Sequence, residues 1–166
     1  MPFAGPAWWA AALLLAGALL LQIEIMHYVT FRNAEPSLVL VLVVWYALHA
    51  DWRRAAMFGI AAGACEDAFD ITGGAWTIST ALTALWASVL SRWFFSDSIP
   101  VAAAVAFLCT LLRALIFWSA MSLTAGYPAG YARVHFHQAL WMSVMNAALM
   151  AIALALVRRR EERALA

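Results

Sequence analysis

Six continuous apolar runs separated by short polar gaps make up nearly the whole chain. Each run comes near the ~20 residues that a helix needs to cross a ~30 Å hydrocarbon core at ~1.5 Å per residue. They place spans near residues 7–26, 36–50, 54–69, 75–93, 99–123 and 136–157. A β-barrel is not expected, because its strands would alternate apolar and polar residues and these runs are continuous. The second to fourth runs are short. Tilt, local bilayer thinning or burial among neighbours would accommodate them, so a five-span or re-entrant arrangement stays open beside the six-span one. The first run has no basic leader and carries Gln22 and Glu24 near its end, so it is expected to remain as a helix of the mature chain.

Composition agrees with this class. Hydrophobic residues are 66% of the chain and mean hydropathy is +0.84, against roughly 45–50% apolar residues in soluble domains. The expectation is an all-α integral membrane protein, one polytopic domain over residues 1–166. A formal charge of +1 gives no reason to expect a nucleic-acid partner.

Arginines set the orientation. With six spans, Arg53, Arg54, Arg92, Arg158, Arg159, Arg160 and Arg163 fall on one side, and Arg32 and Arg133 on the other. Basic residues accumulate in the cytoplasm, so both termini are expected there. The tail RRREERALA doubles as a candidate contact for anionic membrane lipid or a cytoplasmic protein.

Polar residues inside the apolar runs are the functional candidates, because charge in hydrocarbon is costly. Gly59, Gly63 and Asp67 recur at i, i+4 and i+8, which puts two glycines and a carboxylate on one helix stripe. Such a stripe admits a close neighbouring backbone, either within this subunit or from a partner. Asp67 lies thirteen residues past Arg54, and Arg113 lies thirteen past Pro100. The two should share a depth, so Arg113 is expected to pair with Asp67, Glu66 or Asp70. The alternative for Arg113 is a water-filled pocket or a subunit surface.

Glu66 and Asp70, four apart, could form a two-carboxylate site, and Thr72, Thr77, Ser79 and Thr80 follow closely. No nucleophile elbow or HExxH motif accompanies them, so catalysis is not expected. His135 and His137 form an HxH, but that spacing on a helix splits the rings between faces, and no metal site is expected. Cys65 and Cys109 show no metal spacing. Ser143 and Asn146 can hydrogen-bond between helices in the last span.

An early LLQIEI, then PSLVLVLVVWYAL, GIAAGACEDAFDITGG and a closing LWMSVMNAALMAIALALVRRR appear in this order. That sequence of features resembles the MreD family of bacterial rod shape-determining membrane proteins. The likeness covers nearly the whole chain and is strongest over residues 36–74. It consists of a proline opening the second helix, an aromatic pair, two helical glycines, an acid and a later glycine. Here these are Pro36, Trp45 with Tyr46, Gly59, Gly63, Asp67 and Gly74. Glu66 and Asp70 are acids beyond the family pattern, and Arg113 belongs to no family motif.

The resemblance implies a non-enzymatic scaffold of the cell elongation machinery, without a cofactor. It would bind MreC, a single-span protein, in an assembly with actin-like MreB and with RodA and its transpeptidase partner. It further implies a compact bundle of about six helices, similar to the substrate-binding membrane subunits of energy-coupling-factor transporters. The second expectation follows from that fold: a small-molecule-binding subunit of a transporter.

Overall fold

Leu38–His49 is apolar on every face and becomes the centre of the structure, as all-round hydrophobic helices do. The computed structural model describes residues 8–70, 72–92 and 98–165. Among them are six α-helices: α1 Trp8–Glu24, α2 Leu38–His49, α3 Trp52–Phe69, α4 Ala75–Ser91, α5 Ile99–Thr124 and α6 Ala132–Leu165. No β-strand occurs among the described residues; an isolated bridge, Phe31 to Ala34, closes a tight turn. In that turn Arg32 and Asn33 take positive φ values of 52° and 61°. Ala7 and Trp93, the expected outer limits of the first and fourth runs, lie outside the described residues.

Two segments, Ile99–Thr124 and Ala129–Arg160, are long and apolar enough by length and composition to cross a membrane. The other apolar helices are shorter, and their ends have local causes. Ser37 opens α2 as its N-cap, its hydroxyl accepting from the Leu40 amide at 3.1 Å. Pro36 just before it disfavours helix upstream. α6 outruns its apolar stretch at both ends. A 3₁₀ turn, Ala129–Tyr131, leads into it, and the arginine-rich tail consists of good helix formers that carry it to Leu165.

α2 touches each of the other five helices, while α3 packs most extensively on α4 and α5 on α6. The main core gathers around Val39, Leu40, Val43, Val44, Tyr46 and Met150. Tyr46 stacks against Phe58 of α3 with ring centroids 4.4 Å apart. Glu35, Glu66 and Asp70 line one shared recess, with Asp67 beside them in sequence, and these residues form the acidic end of the bundle.

Outside this core the helices present apolar side chains outward. Leu13 is 66% exposed, Leu20 65%, Met57 59%, Ile78 51%, Leu115 51% and Ile152 56%, so every helix but α2 contributes large hydrophobics to the outer surface.

Candidate functional site

Gly59 and Gly63 bring α3 and α4 into backbone contact. A Cβ on Gly63 would stand 2.5 Å from the Thr77 Cα and 2.6 Å from the Trp76 carbonyl oxygen. One on Gly59 would meet the Ala84 Cβ at 2.8 Å. The stripe is therefore occupied by this chain's own fourth helix.

Asp67 continues that stripe and ends on the first turn of α4. Its two carboxylate oxygens accept from the Trp76 amide at 3.1 Å and the Thr77 amide at 2.8 Å. The hydroxyls of Thr72 and Thr77 donate to the same carboxylate. The N-cap position of α4 is Gly74, which has φ +91° and no side chain to offer. A carboxylate from the preceding helix thus does the work that an N-cap Asp or Ser would do, satisfying orphan N–H groups at the positive end of the helix dipole.

Glu66 points elsewhere because one residue turns a helix by about 100°. It receives the Arg113 Nη2 in an ion pair, with Arg113 2% exposed and Glu66 10% exposed. Of the three acids considered for Arg113, Glu66 is the partner, and Asp67 is committed to α4. Arg113 also lies over the Trp76 ring, 4.4 Å from its centroid. Its Nε is buried with no hydrogen-bond partner, a condition that costs about 1–3 kcal/mol. Removing one member of a buried ion pair costs roughly 3–5 kcal/mol, since the survivor stays unpaired.

Asn146 ties three helices together. Its Oδ1 accepts from the Ser37 amide at 2.8 Å, and its Nδ2 donates to the Thr110 hydroxyl at 3.1 Å. Gln22 of α1 completes the polar collar at the start of α2, accepting from the Val39 amide at 3.1 Å. Ser143, by contrast, donates to its own helix at Ala139. Pro36 is buried beside this collar, and Trp45 is half-buried and lines an apolar groove.

A cavity of about 600 Å³ opens at the acidic end, walled by Asp70, Thr72, Trp76, Arg113, Phe117 and His135. A second lobe of about 300 Å³ shares Glu35, Asp70, Trp76 and Arg113, and reaches Gln22 and Glu66. Trp76 stacks on Phe117 at 4.0 Å. The His135 ring is held by its Nε2, 3.1 Å from the Ala114 carbonyl oxygen. His137 faces away, with Trp141 Nε1 donating to it at 3.3 Å, so the two histidines do not converge. Among the described residues, no group of three or more His, Cys, Asp or Glu stands ready to hold a metal ion.

The cavity walls Trp76 and Phe117 carry no sequence motif, and they meet only because α4 and α5 pack together. The capping role of Asp67 did leave a signal: an acid-ended helix followed within seven residues by a glycine at a helix start.

No protein-family model, curated protein or solved structure matches this chain.

Proposed function

We propose that the chain is a multi-pass protein of the bacterial inner membrane, with both termini cytoplasmic, acting as a non-enzymatic scaffold of the MreD type. The observation that carries the membrane reading is the outward apolar surface on α1, α3, α4, α5 and α6. In water such a surface would drive aggregation; in lipid it is the solvated face. The order of motifs from Pro36 to Gly74 supports the family reading.

In this reading the partner helix does not use the glycine stripe, which α4 fills. An apolar groove of about 540 Å³ between α1, α2 and α6 is the better seat for the single span of MreC. Gly17 lies in its lining, and a Cβ there would meet no atom within 4 Å. Gly17→Leu should leave the bundle folded yet fill the groove. Co-purification with MreC should then fall about tenfold, equivalent to ~1.4 kcal/mol. Full recovery of MreC by the variant moves the contact off the groove, and no MreC complex with the unaltered chain sinks the scaffold.

The cavity at the acidic end favours a second reading, a small-molecule-binding subunit of a transporter. About 300–1,000 Å³ is the usual range of ligand pockets. Capture of an ATPase-bearing transport module in place of MreC would establish it over the first.

A further inference from the structure

Two kinds of charge face the acidic-end cavity. At its floor is Arg113, 2% exposed, whose Nε has no hydrogen-bond partner although Nη2 is held by Glu66. At its rim are the exposed carboxylates of Glu35 and Asp70, both of which line the two lobes. Asp70 is oriented by the Trp76 indole, whose Nε1 donates to it at 3.3 Å. Between floor and rim stand stacked aromatic walls, Trp76 on Phe117 at 4.0 Å, with His135 beyond them nearly parallel to Phe117.

A simple anion would reach one guanidinium edge and be repelled by two carboxylates. A simple cation would find the rim acids and aromatic faces, but also a fixed positive charge below. A molecule carrying both charges fits each in turn: its carboxylate accepts from the Arg113 edge, and its ammonium sits between Glu35 and Asp70. An apolar planar side group then meets the edges of the Trp76 and Phe117 rings, because Phe117 and the Arg113 guanidinium already cover Trp76.

We propose that this cavity binds a small zwitterion of the aromatic amino-acid type. The proposal supplies the ligand class for the second reading of function, on which it rests for biological purpose, while binding itself requires no transport module. Charge pairing fixes the ligand's direction, carboxylate inward and ammonium toward the acidic end.

The test is calorimetric titration of the purified full-length chain in lipid nanodiscs with three probes: L-tryptophan, tryptamine and indole-3-propionate. L-tryptophan should bind at least about tenfold more tightly than either single-charge analogue, a difference of ~1.4 kcal/mol. Asp70→Asn, at an exposed position, should fold normally by size exclusion and bring L-tryptophan down to the affinity of indole-3-propionate. Arg113→Lys, which keeps the charge but loses the Nε edge, should weaken L-tryptophan and indole-3-propionate alike and leave tryptamine unchanged.

No binding of L-tryptophan, or tryptamine or indole-3-propionate binding as tightly as L-tryptophan, overturns the zwitterion site. The two failures separate cleanly. An ATPase-bearing module captured with a chain that ignores L-tryptophan leaves transport standing and the ligand class refuted. Specific L-tryptophan binding without any such module leaves the site standing and transport refuted.

Discussion

Between α3 and α4 the backbones meet through glycine, whereas α5 and α6 contain no glycine and meet through side chains. The first seam has Gly59 and Gly63 facing Ala84, Thr77 and Trp76, with no room for a methyl group. The two helices of the second carry the buried Ala106, Cys109, Ala139 and Met150, and the hydrogen bond from Asn146 to Thr110 joins them. A seam of glycines depends on the absence of atoms, and a neighbouring backbone cannot move aside. A seam of side chains can repack when one member changes.

Three substitutions probe that contrast, beginning with the most damaging. Gly63→Leu forces a side chain into the Thr77 and Trp76 backbone. Overpacking usually costs about 1–3 kcal/mol and more where backbone opposes it, so monodisperse protein should be lost on size exclusion. A well-folded Gly63→Leu variant would break the distinction between the two seams.

Asp67→Ala keeps the glycine contact and removes only the cap. It should lower stability by ~1–2 kcal/mol, the range for losing a capping side chain with its dipole interaction. Hydrogen exchange at the Trp76 and Thr77 amides, which Asp67 now accepts from, should speed up first. Unchanged exchange there would show that the first turn of α4 does not depend on α3.

Asn146→Leu alters the tolerant seam. Interhelical hydrogen bonds of this kind average ~0.6 kcal/mol and reach about 2, so the thermal midpoint should shift least of the three. A collapse as severe as that of Gly63→Leu would mean that the second seam is as unforgiving as the first.

Much of the helical layout is legible in the sequence, because apolar run length and helix length are the same quantity at 1.5 Å per residue. Runs placed at 54–69 and 99–123 emerge as Trp52–Phe69 and Ile99–Thr124. Run length says nothing of amphipathic or charged extension, and α6 therefore starts at Ala132 and runs on to Leu165. The depth match that paired Arg113 with an acid near residue 67 rests on the same arithmetic. Depth alone cannot choose between Glu66 and Asp67, because they differ by ~1.5 Å along the axis but by about 100° around it. The choice depends on which way α3 faces, and this is set by the glycine contact with α4. Trp76, Phe117 and His135 were illegible as cavity walls for a related reason: they meet only after α4, α5 and α6 have packed.

Asp67 also implies an order of events during synthesis. It leaves the ribosome before α4, and α4 begins at a glycine with positive φ that cannot cap it. Alone, α4 would start with bare, unsatisfied amides. Once α3 is beside it, across a connection of only residues 70–74, those amides have a carboxylate waiting. The two helices are thus built to form together as a hairpin, from contacts close in sequence and therefore quickly. The later helices then meet a finished pair instead of a free strand of chain.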